Sequence, residues 1–389
     1  MRDNIKSFSI LMNAVLLLIL FIFLYAGKQD RRSAYGGLTD IAGKPVLTVY
    51  SENFLDGPVF EVAEIEPWIS SMLEGHLGEE SRNFSGKDLA VVEERLDACM
   101  DDLSANSLQC SYEVDRMTYS LVKKLSHITV RVRILYIPDI VPYHDLASFS
   151  APADAAEYLA GEWDGGLREV WFRCSEDWTG DTLYNMGNAA EMNTADTAAL
   201  PSSFNYMIQE RPGEREKLSF IELIYSVDED RLRARSQELK EELDAIAAEI
   251  LSRGLTTERE LYDAVSKVIL ERADYDHASI NSIYSDNRSE EEWINSSAYG
   301  ALISGKTICT GYAMAHKALC DRLGLPCWVI SGNIKGAGHA WNMIRLDGKT
   351  YFVDCTSADS TGNSQYLLMD ASGLSERGYY MPANQVCPW

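Results

Sequence analysis

Asp347-Gly348 separates two strand-like runs, and this pair restricts the 389-residue chain more than any other short feature. Asp-Gly between alternating apolar residues is a strong signal for a two-residue hairpin turn. One run carries Gly338-His339-Ala340-Trp341, and the other leads to Asp354. If Asp347 and Gly348 form the turn, Leu346 faces Lys349, Trp341 faces Asp354 and His339 faces Thr356. His339 and Asp354 then become diagonal neighbours on one face, about 7–8 Å apart at the backbone, within reach of an imidazole and a carboxylate. A slip of one residue would put them on opposite faces.

Upstream, residues 309–323 read as a helix. Cys309, Tyr312, Ala313, His316, Leu319, Cys320 and Leu323 share a face, Gly324 ends the helix and Pro326 prevents its resumption. Cys309 therefore stands at a helix N-terminus, where exposed N–H groups carry partial positive charge. Such a position, or a paired histidine, favours the thiolate, which is the nucleophile. His316 faces the same side, but two turns put it roughly 10 Å along the axis, too far to exchange a proton with Cys309. His339 is the better base, with Asp354 orienting its ring. The competing reading is a core cysteine, a structural histidine and a capping aspartate that are close only in sequence.

The formal net charge of −24 argues against nucleic acid as a partner, because phosphates would be repelled. The eight cysteines contain no CxxC pair, which argues against zinc, and they are too sparse for a disulfide scaffold. A Cys99–Cys110 bridge stays open. Asp274-Tyr275-Asp276 lacks calcium-loop spacing, so no metal or cofactor is expected.

Residues 7–27 carry no charge and are long enough to span a bilayer as a helix. They read as a single membrane anchor, with a cleaved signal as the alternative, and the short leading tail places the rest outside the cytoplasm. Residues 28–60 read as a stalk with one strand-like piece at 45–50. Residues 61–228 read as two rounds of α-β-α-β. The first has helices at 88–103 and 115–125 and strands at 108–114 and 128–137. The second has helices at 152–161 and 182–192 and strands at 167–174 and 218–227. His76, His127 and His144 stand apart with no partner motif, and Trp163, Trp171 and Trp178 read as core and rim, with a carbohydrate or peptide groove as the alternative. Residues 229–254 form a connecting amphipathic helix. Thr257-x-x-Glu260 caps the next helix, and 277–296 read as a solvated loop.

The stretch 298–357 resembles the transglutaminase-like core superfamily, which has a papain-like cysteine fold. The resemblance rests on Tyr299-Gly300-Ala301-Leu302, Gly305-Lys306-Thr307-Ile308-Cys309-Thr310-Gly311-Tyr312-Ala313, Leu323-Gly324-Leu325-Pro326, Gly338-His339-Ala340-Trp341-Asn342 and Asp354-Cys355-Thr356. With its flanks it extends over residues 255–381, inside a catalytic domain at 255–389. It implies an α+β fold in which a helix bearing Cys309 packs on an antiparallel sheet bearing His339 and Asp354, in a membrane-anchored microbial member. It also implies thioester chemistry on protein or peptide amides, cell-wall peptide among them, by hydrolysis or by transfer to an amine. Tyr299 and Trp341 are candidates for substrate or oxyanion contacts. Ser357 departs from the tryptophan that many members carry after Asp-x-Thr, a change expected to leave the triad untouched. A non-catalytic surface-binding or scaffold protein is the alternative function.

Overall fold

A computed structural model describes residues 57–86, 88–279 and 288–387. The apolar run 7–27 and the strand expected at 45–50 lie outside these residues. Among the described residues, no helix is long and apolar enough to cross a membrane. The chain divides into two compact units, one made of residues up to Asp101 with Val114–Ile137, the other of Asp102–Glu113 with everything from Pro138 onward.

In the first unit, β1 (Val59–Phe60), α1 (Ile65–Glu74), β2 (Glu79–Phe84) and α2 (Leu89–Asn106) precede the rest of the sheet. Apolar side chains at helical spacing, Ile65, Trp68, Ile69 and Met72 on α1 and Val92 and Leu96 on α2, are buried. The next segments reverse the sequence expectation. Residues 108–114, read as a strand, form the helix α3 (Leu108–Glu113), and 115–125, read as a helix, lie mostly in β3 (Val114–Lys123). Gln109 Nε2 donates to Glu113 one helical turn on, and the buried Glu113 carboxylate accepts the Tyr143 N–H at 2.6 Å. That bonding favours the helical turn. In β3, Met117 and Leu121 suit helix or strand spacing equally, and antiparallel pairing with β4 (Ile128–Tyr136) decides the matter. The sheet order is β1-β2-β4-β3, with β1 parallel to β2 and the remaining pairs antiparallel.

From Pro138 onward, the second unit repeats this connectivity. β5 (Ser148–Phe149), α4 (Pro152–Asp164), β6 (Glu169–Ser175), α5 (Gly180–Asn193), β7 (Ser203–Gln209) and β8 (Glu216–Ile224) form a sheet of order β5-β6-β8-β7, again parallel only at its first pair. Each round therefore follows β-α-β-α-β-β, the first with the extra short helix α3 between α2 and β3. The sequence reading missed β7, whose side chains are all partly exposed and give a weak pattern. Trp163 and Trp178 are core residues, and Trp171 packs on Phe220 at 4.8 Å between ring centres.

Two long helices follow, α6 (Glu229–Ser252) and α7 (Glu258–Arg272), the latter started by the Thr257/Glu260 capping box. The segment read as a loop at 277–296 ends in a short helix, α8 (Glu290–Asn295), because Ser289 and Glu292 form a second capping box. β9 (Asp274–Tyr275) and β10 (Lys306–Thr307) pair in parallel and lead into α9 (Cys309–Arg322). Then come β11 (Cys327–Ile334), β12 (Ala337–Leu346), β13 (Lys349–Val353), α10 (Cys355–Thr361), α11 (Ala371–Glu376) and β14 (Tyr379–Tyr380), with sheet order β13-β12-β11-β14. Asp347 and Gly348 form the turn with φ of 51° and 73°, the positive values that an Asp-Gly hairpin turn requires. The ladder runs from Leu346↔Lys349 to Asn342↔Val353, the register that this turn dictates.

One face of that sheet packs under α9, where Cys309 and Ala313 meet Val329 and Ala340. The opposite face shares a core with the preceding round. Trp328, Ile330, Trp341 and Met343 pack with Trp163, Phe172, Met186 and Ile221. Asn193, the last residue of α5, seals the edge of β11 with its carboxamide. Its Oδ1 accepts the Val329 N–H at 2.7 Å, and its Nδ2 donates to the Val329 carbonyl at 3.2 Å. A side chain thus supplies the bonds that a neighbouring strand would otherwise make.

Candidate active site

Cys309 is the first residue of α9. Ile308 precedes it in an extended conformation and provides no side-chain cap. The leading N–H groups of the helix are therefore not taken by a capping side chain, and they point toward the end that carries the thiol. The local backbone is pinned from below. Thr307 Oγ1 donates to the Asn295 carbonyl at 2.6 Å, and Thr310 Oγ1 donates to the Ser296 carbonyl at 2.7 Å. This approach is close enough to demand glycine at position 311, where a Cβ would lie 1.8 Å from Thr307 Oγ1 and 2.6 Å from the Ser297 carbonyl oxygen.

His339 sits near the start of β12 and turns its Nε2 to Asp354 Oδ2 at 2.7 Å. The Cys309 thiol also acts on the same ring. Burial works against the charged imidazole. The hydrogen bonds and charges of Asp354 and Cys309 outweigh that effect and push the His339 pKa up to about 10. The structure thus brings Cys309, His339 and Asp354 together, and it leaves His316 away from the thiol.

Two expectations about this acid need correction. Asp354 was expected on the strand, but β13 ends at Val353 and Asp354 is the N-cap of α10, with Oδ1 accepting the Ser357 N–H at 2.9 Å. The Phe352 pairing with Met369 closes the strand, and the chain then turns into the helix. Ser357 was expected to leave the three residues untouched. Its hydroxyl instead donates to Asp354 Oδ2 at 2.6 Å. The shorter serine side chain folds back over the helix N-terminus where a tryptophan could not make this bond. Tyr379, from β14, donates its phenol to the same oxygen. Burial raises the Asp354 pKa, but His339, Ser357 and Tyr379 together hold it below the usual carboxylate value. Tyr379 gave no signal in the sequence because it reaches Asp354 only through the pairing of β14 with β11.

Trp341 and Tyr299 take up different places. Trp341 is buried behind the imidazole, its ring stacked on His339 at 6.0 Å and set edge-on to Tyr379 at 5.1 Å. Its indole N–H has no hydrogen-bond partner. Tyr299, a candidate for contacting substrate or oxyanion, points away into the helical core. Its hydroxyl donates to Glu238 Oε2 at 2.7 Å, its N–H donates to Ser297 Oγ at 3.2 Å, and Arg235 lies over its ring. Both of its donors are thus engaged by α6 and its own turn.

A cavity of about 320 Å³ is lined by Asn188, Glu191, Met192, Ser331 and Gln385 among others. Met192 also packs on the Cys309 cluster, and Ser331 pairs with Ala340 of that cluster. Burial pushes the Glu191 carboxyl up to about 8. Behind α9, His316, Cys320 and Cys327 form a second, fully enclosed group that sequence spacing had not joined.

Residues 244–355 match the family described as the transglutaminase-like superfamily, a span that includes Cys309, His339 and Asp354. The chain contains a transglutaminase-like domain. A stretch of 63 residues is 35% identical to the kyphoscoliosis peptidase of Homo sapiens, covering 13% of this chain and 10% of that protein. The chain therefore spans about a tenth of the curated relative that it matches. Among solved structures, a TGase is similar to the chain with a TM-score of 0.30 and 16% identity, over 50% of this chain and 52% of the other. A protein described as a candidate cysteine protease from Cytophaga hutchinsonii gives a TM-score of 0.24 and 13% identity, over 40% of this chain and 65% of the other. In the transglutaminase-like domain, the three residues come from α9, β12 and the cap of α10.

Proposed function

We propose that the protein is a thiol-dependent hydrolase or acyltransferase acting on protein or peptide amides. The observation that carries this reading is the His339–Asp354 bond of 2.7 Å beside a thiol at an uncapped helix N-terminus. In this reading, the Cys309 sulfur attacks the amide carbon. The acyl oxygen takes negative charge and is met by the leading N–H groups of α9. The imidazolium of His339 gives its proton to the departing amine, and a thioester remains. Water then hydrolyses the thioester, or a primary amine takes the acyl group, with His339 accepting the nucleophile's proton in either case. The cavity beside Met192 is where the acyl donor enters. The apolar run 7–27 supports work at a membrane, outside the cytoplasm, on surface or cell-wall peptides.

Incubation with a glutamine peptide, with and without a labelled primary amine, tests the proposal against a Cys309→Ala control. Incorporated label indicates transfer, and ammonia or cleaved peptide without label indicates hydrolysis. The enzyme reading fails if no acyl donor is consumed and Cys309 is alkylated no faster than Cys355.

A further inference from the structure

We propose that His316, Cys320 and Cys327 form a binding site for a thiophilic d10 cation, zinc(II) or copper(I), behind the nucleophile helix. The three side chains come from two elements. His316 and Cys320 lie one turn apart on α9, and Cys327 opens β11 after the Gly324-Leu325-Pro326 turn. His316 and Cys320 have no exposed surface, and Cys327 has 3%. Their ligand atoms all lie within 4.8 Å of one another.

The spacing is that of a coordination shell. His316 Nδ1 is 3.5 Å from Cys320 Sγ and 3.5 Å from Cys327 Sγ. A tetrahedral ion with metal–sulfur bonds of about 2.3 Å and metal–nitrogen bonds of about 2.0 Å has N–S edges of roughly 3.5 Å. Thiolate and imidazole donors together select zinc or copper(I) over the oxygen-seeking cations.

The surroundings orient the donors. Ser266 Oγ, from α7, stands 3.4 Å from His316 Nε2. A ring that donates its Nε2–H there directs the Nδ1 lone pair at both sulfurs, as outer partners of metal-bound histidines commonly do. Asn342, from β12, donates its Nδ2 to the Ala313 carbonyl at 2.8 Å and to Cys327 Sγ at 3.5 Å. Binding releases the two thiol protons to solvent and leaves the electron count of the ion unchanged. Two thiolates neutralise zinc(II), which suits a site sealed from water. The ion would tie the second half of α9 to β11 and hold steady the helix that carries Cys309.

The test uses the full chain, purified under reducing conditions from medium supplied with zinc and copper, with bound metal measured by mass spectrometry. We expect one ion per chain. The stripped protein is then loaded with cobalt(II) as the zinc probe and, separately and without oxygen, with copper(I) against a competing chelator. Cobalt should produce thiolate-to-metal charge-transfer absorption if the site takes zinc, whereas retention of copper(I) alone assigns it to copper. Cys327→Ser should abolish binding, and Cys174→Ser, which removes a buried thiol elsewhere, should not. Cys309→Ala should bind the ion unchanged, so failure of this site and failure of the triad are separable. The proposal is overturned if the wild type retains no ion in any arm and shows no charge-transfer band, a readout that needs no variant to fold. It is equally overturned if Cys309→Ala loses the ion while Cys327→Ser keeps it.

Discussion

His339 Nε2 stands 2.7 Å from Asp354 Oδ2, and the carboxylate that it meets is the N-cap of a helix. One residue therefore has two tasks, to start α10 and to hold an imidazole. The helix fixes where the carboxylate points, and Ser357 and Tyr379 also donate to the oxygen that faces His339.

Replacing the acid while keeping its shape should separate these tasks. Asp354→Asn keeps a capping oxygen but can present an N–H to His339, which favours the wrong tautomer. We expect kcat to fall by about 10²–10⁴-fold, with a much smaller change in KM. Steady-state kinetics on the best acyl donor checks this, and an unchanged kcat sinks the assignment of Asp354.

The ion pair has a defined pH window. The folded pKa of His339, about 10, is above its ordinary 6.5, so its contribution to stability is complete below 6.5 and is lost as pH rises through 10. The folded pKa of Asp354 is below its ordinary 3.8, so its contribution is present above 3.8 and is lost as pH falls through the depressed value. The Tm difference between wild type and Asp354→Asn should be widest between these limits and shrink steadily toward about pH 10. Thermal unfolding at a series of pH values reads it directly.

Ser357 and Tyr379 should act through Asp354 and not on substrate. Ser357→Ala and Tyr379→Phe each remove one donor to a buried carboxylate, at a cost of about 1–3 kcal/mol. With fewer donors the carboxylate is more basic. The alkaline limb of the kcat/KM profile should move in both variants, while KM stays near the wild-type value. A parallel loss at all pH values, with no shift of the limb, would show a structural role only.

Glu191 should make the protein less stable as pH rises. Its carboxyl has a folded pKa of about 8 against an ordinary 4.5, so the folded state holds the proton more tightly and stability falls as pH climbs from 4.5 through 8. Glu191→Gln should raise Tm above the wild type at about pH 8 and match it near pH 4. Equal Tm values at both pH values would place the carboxylate in contact with water.

Gly311→Ala adds a methyl group between α9 and the chain below it. The neighbours at 1.8 and 2.6 Å include the Ser297 backbone oxygen, which cannot rotate away. We expect a loss of about 1–3 kcal/mol or more, together with reduced activity, because the strain falls two residues from Cys309. Urea unfolding measures the first effect and the amidase assay the second.

The hairpin was legible because Asp347-Gly348 encodes both register and turn in two adjacent residues. The helix of Cys309 was legible because Gly324 and Pro326 mark its end. Tyr379 and Ser357 were not, because their roles depend on where β14 pairs and on how α10 begins. The 108–125 segment failed for a related reason. Met117 and Leu121 satisfy two periods at once, and only β4, which follows in sequence, selects one of them. His316, Cys320 and Cys327 were missed because metal-ligand motifs are read along the chain, whereas this trio closes across a helix and a strand. Tyr299 was misplaced because its motif neighbours lie by the cysteine while its own ring turns to α6.

Asn193 and the apolar residues beside it make the second β-α-β-α-β-β round part of the wall of the transglutaminase-like domain. Trp328, Trp341 and Tyr379 meet Trp163, Phe172 and Met186 there, and among the described residues Asn193 is what β11 bonds at Val329 on that side. A fragment cut at the start of α6 would expose indole rings directly behind the imidazole and leave a strand edge open to any passing chain. The smallest piece able to hold His339 in place therefore begins upstream of Ser148. Sequence change around α5, remote as it looks in the chain, is change to the packing directly behind Trp341 and His339.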